Sequence, residues 1–199
     1  MFKQAVVKWA EKYETADGRE FGFGKTTIRF FQPVPHGEDE SGLGWVLLCI
    51  VEKSGEKIIF APDVQGPISE ETVNLILSEN PDVLIMGGPP TYLKGFRIAD
   101  SFFQKALLHM EQIAEKIPTL VIDHHLLRDA DWHKFLQPVR DASDKNGHAL
   151  LTAAELIKKE PRPLECRRKE LYDEEKPAPE FMKWTKLSKE KLSETPPPL

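Results

Sequence analysis

Residues 33–67 read PVPHGEDESGLGWVLLCIVEKSGEKIIFAPDVQGP. Pro33 and Pro35 end a strand, because proline has no N–H for a sheet ladder, and they present His36 on a loop rich in Gly, Glu and Asp. Trp45 to Val51 and Lys57 to Ala61 are mostly apolar and β-branched or aromatic, with a Ser54-Gly55 turn between them. That pattern predicts a hairpin buried enough to be central in a sheet. Asp63 then stands at the exit of its second strand.

Working outward, Phe21 and Phe23 alternate with small residues, Gly24-Lys25 turns, and Thr27 to Phe31 continues, so a second hairpin precedes the first. Phe2 to about Glu14 carries Phe2, Val6, Trp9 and Ala10 at helical spacing and is stopped by Asp17-Gly18. Downstream, Ser69-Glu70-Glu71 reads as an N-cap with acids in the first turn of a helix running to about Glu79. Asp82 to Met86 predicts a short buried strand, and Gly87 to Pro90 a loop. Ile98 to Ile117 predicts a long amphipathic helix, with Phe102, Phe103, Ala106, Met110 and Ile113 on one face and His109 on the polar side. Leu120 to Ile122 is a further strand, and strand, helix, strand at this spacing favours a right-handed parallel crossover. Ala130–Phe135 and His148–Lys159 read as two more helices, separated by Asn146-Gly147. A charged helix around Cys166 and a short one over Glu180–Leu187 precede the closing proline run.

At 199 residues the chain can bury one good core, and 40% hydrophobic with 30% charged residues describes a globular protein. The net charge of −5 gives no reason for general attraction to nucleic acid. No apolar run reaches membrane-helix length, and the charged, amphipathic N-terminus lacks a signal-peptide core. Two cysteines do not suggest a disulfide scaffold, so a reducing, cytoplasmic setting is expected.

Chemistry concentrates at strand ends. His36 follows one strand, Asp63 another, and Thr119 to His125 (TLVIDHH) closes a third on adjacent histidines. Imidazole and carboxylate groups on loops held by a rigid sheet suit a metal site. Separately, His36 reads equally as an ordinary loop histidine and Asp63 as a turn residue. Asp123-His124-His125 is more pointed, since packing rarely needs two imidazoles at a strand exit. His133 and His148 read as surface histidines. Arg167 and Arg168 flank Cys166, but no base or nucleophile motif accompanies it.

The PHG, FAPDVQGP, GGPPTYL and DHHLLRD blocks resemble the C-terminal part of metallo-β-lactamase-fold proteins, and among them an uncharacterised archaeal family of metallo-hydrolase-like proteins, the resemblance covering about Gly18 to Tyr172. The resemblance implies an α/β fold: the C-terminal half of an αββα sandwich, a mixed sheet with helices on one face. It implies residues 1–175 as that portion and 176–199 as a charged, proline-rich extension. It also implies two zinc ions held by His36, Asp63 and His124, with His125 as the alternative to His124. Asp63 would be shared by both ions and is the candidate catalytic residue. The reaction implied is attack of metal-bound hydroxide on an ester or phosphodiester-type bond of an unknown substrate. Within the resemblance the GGPP loop lines the pocket, and Tyr92, Lys94 and Arg97 could approach an anionic substrate; a tight loop with exposed charges is the plainer alternative.

One departure qualifies all of this. The superfamily's His-x-His-x-Asp-His segment is missing from these 199 residues. The chain therefore reads as a second half beginning at an internal or late Met1, with metal binding weak or absent in this chain alone. A half sandwich would expose the sheet face meant for the other half, so self-association or a complementary N-terminal half is expected. Two other readings stand beside the hydrolase. One is a non-catalytic remnant or subunit acting through packing on a partner; the other is a plain α/β protein.

Overall fold

The computed structural model describes residues 2–39 and 42–198, with residues 2–4 described in backbone only. The Phe2 side chain, Met1, Glu40, Ser41 and Leu199 lie outside the described residues. Two compact units make up the chain, Met1–Arg162 and Pro163–Leu199.

In the first unit, helix α1 (Phe2–Trp9) precedes strands β1 (Glu20–Phe23) and β2 (Thr26–Phe30), the expected hairpin. The helix ends well before Glu14. Short strands β3 (Val34–Pro35) and β4 (Trp45–Val46) pair with each other, and β5 (Cys49–Lys53) and β6 (Glu56–Ala61) form the second hairpin. Helix α2 (Glu70–Glu79) leads to β7 (Val83–Gly87), α3 (Asp100–Ala114) to β8 (Thr119–Asp123), and α4 (Trp132–Lys145) to β9 (Ala149–Thr152). The result is a seven-stranded mixed sheet ordered β1-β2-β5-β6-β7-β8-β9, antiparallel as far as β6 and parallel from β6 to β9.

Register explains which face is the core. Ile50, Ile59, Leu84, Leu120 and Leu150 align across β5 to β9 on one face, each at most 4% exposed. Val73 and Ile76 of α2, Met110 and Ile113 of α3, and Leu136 and Val139 of α4 join that cluster, so these helices cover the same face. On the opposite face Phe60 is 47% exposed, Ile58 39% and Phe23 63%. The central hairpin is thus buried on one side only.

Two sequence expectations change. The helix expected over His148–Lys159 is instead β9 followed by a short helix, α5 (Ala153–Leu156). Ala-Leu-Leu-Thr suits either state locally, and pairing with β8 decides for strand. Thr152 ends the strand and starts the helix through a capping box with Glu155. The helix expected over Ala130–Phe135 runs on through Pro138 to Lys145, because Trp132, Leu136, Val139 and Ser143 form one buried stripe whose packing outweighs the lost hydrogen bond. Ser69 does occupy the N-cap of α2, yet its hydroxyl makes no capping bond.

The second unit carries α6 (Arg168–Glu174), α7 (Pro179–Trp184) and α8 (Lys189–Glu194). Arg167 and Arg168 pair with Glu170 and Glu165, and the Cys166 thiol donates to Pro163 O at 2.9 Å. No described helix is long and apolar enough to cross a membrane.

Candidate metal centre

Parallel strands deliver their C-terminal ends to one edge of the sheet. Ala61, Met86 and Ile122 are in register, so the segments leaving β6, β7 and β8 emerge side by side. Loops at that edge are where open α/β sheets gather ligands. Asp63 sits two residues beyond β6 and His125 two beyond β8, while His36 immediately follows β3.

The loops meet because the residues between them are glycines. A Cβ on Gly87 would lie 2.9 Å from the Asp63 backbone nitrogen, and one on Gly88 would lie 2.7 Å from Leu126 Cβ. Gly66 N donates to Gly87 O at 3.0 Å and Gly88 N to Asp123 O at 3.1 Å. Gly87-Gly88 is therefore the seat on which both ligand-bearing loops rest. The sequence reading had placed GGPP only as a pocket lining or a tight loop.

Local backbone geometry is unusual at three non-glycine positions here. Asp63 (φ 51°), Gln65 (φ 58°) and His124 (φ 68°) all adopt left-handed conformations. Such conformations cost about 1–3 kcal/mol each and persist where the surroundings impose them. Asp123 Oδ1 accepts from His124 N at 2.7 Å, holding that turn in place.

His36, Asp63 and His125 each offer a ligand atom, and these atoms lie within 4.8 Å of one another. All three side chains are half-buried. Asp63 Oδ1 is shut off from solvent and accepts no well-aligned hydrogen bond, though His124 Nε2 lies 2.9 Å and His125 Nε2 3.4 Å away. Two ligand atoms on a tetrahedral zinc stand about 3.3 Å apart, given bonds of about 2.0–2.1 Å. The Asp63–His125 pair matches that separation, and the Asp63–His124 pair is at hydrogen-bonding distance. Two imidazoles and a carboxylate are a donor set that zinc accepts, and these three residues could hold a metal ion. His124, preferred from the sequence, falls outside this group; His125, kept there as the alternative, falls within it.

Burial, together with the charges of His124 and Arg128, holds the His125 imidazole below its usual pKa against the pull of Asp63. That shift favours the neutral ring, the form a metal requires. Tyr92 Oη lies 3.3 Å from His125 Nδ1, so a ring donating from Nδ1 keeps its Nε2 lone pair toward Asp63.

Sequence reasoning missed His109 and Gln65. His109 is buried rather than on a polar face, and its Nδ1 lies 2.9 Å from Pro67 O, tying the loop after Asp63 to α3. Its place seven residues after Phe102 and three after Ala106 was the available signal. Of the other two histidines, His148 is half-buried, its Nδ1 2.8 Å from Ala114 O, and His133 is exposed.

No family model matches the chain. It is 40% identical over 163 residues to a UPF0282 protein of Methanopyrus kandleri, covering 82% of this chain and 54% of that protein. A UPF0282 protein of Saccharolobus solfataricus is 37% identical over 175 residues, 87% of this chain and 56% of the relative. For one of Thermococcus sibiricus the figures are 38% over 175 residues, 88% and 55%. The chain spans about half the length of the curated relatives it matches, and over that span it is homologous to the archaeal UPF0282 proteins.

Proposed function

We propose that this chain carries the metal-holding half of a metal-dependent hydrolase of the metallo-β-lactamase type. The observation that supports the reading best is the convergence of His36, Asp63 and His125 from three separate strand exits onto one point. Zinc is the ion the two-imidazole, one-carboxylate set suits, and in such a site it supplies Lewis acidity and a bound water of lowered pKa. The protein's own residues do the rest. Tyr92 orients His125, Asp123 fixes the turn carrying His124, and His109 anchors the loop that carries Asp63. His124, 2.9 Å from Asp63 Oδ1 and 47% exposed, stands on the solvent side of that carboxylate. The class of bond proposed is an ester or phosphodiester.

The test is hydrolysis of model esters and phosphodiesters by chelator-stripped and zinc-reloaded protein. Turnover should require zinc and should be lost in His36→Ala and Asp63→Ala. Turnover indifferent to chelator and to both changes would contradict the reading.

A second reading is favoured by the open sheet face bearing Phe23, Ile58 and Phe60. On it the chain is a subunit that packs against a second layer, either another copy or a polypeptide equivalent to the remaining length of the relatives. Absence of metal-dependent turnover together with a stable complex through that face would favour this reading.

A further inference from the structure

Beside the candidate metal centre lies a cleft of about 510 Å³ lined by His36 and His125, by Gln65, by Arg97 and by apolar residues including Leu93 and Phe102. Gln65 is the feature that nothing above explains. It is 6% exposed and its backbone is left-handed, yet its amide is not among the polar groups shut off from solvent, and no side-chain hydrogen bond ties it to a described residue. Its Oε1 lies against Gly37, where a Cβ would come within 2.8 Å of it. A cleft-lining amide that no protein group engages can exchange its water for a ligand oxygen when a ligand fills the cleft.

Arg97 is the second feature. Its backbone is fixed by a hydrogen bond to Leu93 O, its guanidinium lies 5.2 Å from the Phe96 ring centroid, and no described carboxylate pairs with it. Guanidinium groups recognise phosphate and carboxylate oxygens through paired donors. Glu38, exposed, also lines the cleft, so the anion's place is set by Arg97 rather than by net charge.

We infer that this cleft binds an anionic ester with an apolar ester group, a phosphodiester being the simplest member, with Gln65 and Arg97 as its specificity-determining contacts. The Gln65 amide donates to an ester or phosphoryl oxygen and Arg97 holds the negative charge. Leu93 and Phe102 take the apolar group. Placing the ester beside the reacting centre rests on the hydrolase reading; recognition of the anion does not.

The experiment is calorimetric titration of the full chain in EDTA, which removes any metal–anion contact, followed by repetition with zinc. The probes are bis(p-nitrophenyl) phosphate, inorganic phosphate and the neutral 4-nitroanisole. The diester should bind the stripped chain, with the other two weaker by about tenfold or more. Arg97→Gln and Gln65→Leu should each weaken the diester about tenfold and leave 4-nitroanisole unchanged, with Arg97→Lys partly restoring affinity. Circular dichroism and thermal melting establish that each variant is folded. Equal affinity of both folded variants for the diester, or equal binding of diester and neutral probe, would overturn the inference. Diester binding without zinc binding would leave it standing and remove the metal centre instead. Zinc binding without diester discrimination would do the reverse.

Discussion

Asp63 Oδ1 and His125 Nε2 stand 3.4 Å apart, the separation of two ligands on one tetrahedral zinc rather than of a hydrogen-bonded pair. His124, one residue earlier, lies 2.9 Å from the same oxygen and is 47% exposed. Changing His125 to Ala should therefore lower zinc affinity by about 10–100-fold or more, whereas His124→Ala should change it by about threefold or less. Competition with a chromophoric chelator measures both. The opposite order would assign His124 as the ligand.

The glycine seat makes a separate prediction. Adding a methyl group at Gly88 drives it into Leu126 Cβ, and at Gly87 into the Asp63 backbone, and neither neighbour is the free end of a flexible side chain. Gly87→Ala and Gly88→Ala should each destabilise the fold by about 1–3 kcal/mol, as overpacking does. Because both displace ligand-bearing loops, both should also weaken zinc binding. Urea denaturation beside zinc titration distinguishes this from a purely global effect, for which a core change such as Ile76→Val serves as the comparison.

Far from the site, Glu79 ties α2 to the sheet, its Oε2 lying 2.7 Å from Arg29 of β2 and 3.3 Å from Lys57 of β6. Burial alone would raise its pKa, but the Arg29 and Lys57 charges outweigh that and hold it below the usual carboxylate value. A carboxyl with a depressed folded-state pKa contributes stability that is present above its unfolded value and lost as pH falls through the folded one. Stability should thus decline through the acid side of about pH 4. Glu79→Gln should remove that part of the decline and cost about 1–2 kcal/mol at pH 7. An unchanged acid limb in the variant would show that Glu79 is not its source.

The open sheet face should govern association. Phe60 and Ile58 are adjacent to Phe21, Ile28 and Val51 in the register of the same face. Each large apolar side chain gains about 1.5–3 kcal/mol when fully covered. Sedimentation should show concentration-dependent association of the chain, and Phe60→Glu should suppress it. A strictly monomeric wild-type chain at high concentration would count against self-association and leave the complementary layer as the occupant.

How much of this was legible in the sequence varies with the range of the interaction. The hairpins and the parallel crossover were readable because local pattern and tertiary demand agree there. β9 was not, since Ala149 to Thr152 suit helix and strand alike and only the neighbouring β8 decides between them. Nor was the continuation of α4 past Pro138, which depends on core contacts made by Leu136 and Val139. His36 and Asp63 could be named as candidates from their places after strands. The choice between His124 and His125 turns on side-chain direction at a left-handed residue, which a sequence does not display. Gln65 carried no signal at all; its meaning comes from its place in the cleft wall beside His36 and His125.

The most direct test of the account is calorimetric titration of chelator-stripped protein with zinc. It predicts one ion per chain, with His36→Ala, Asp63→Ala and His125→Ala each weakening binding by about tenfold or more while the fold is retained. No zinc binding by the wild-type chain, or binding that all three variants preserve, would contradict it.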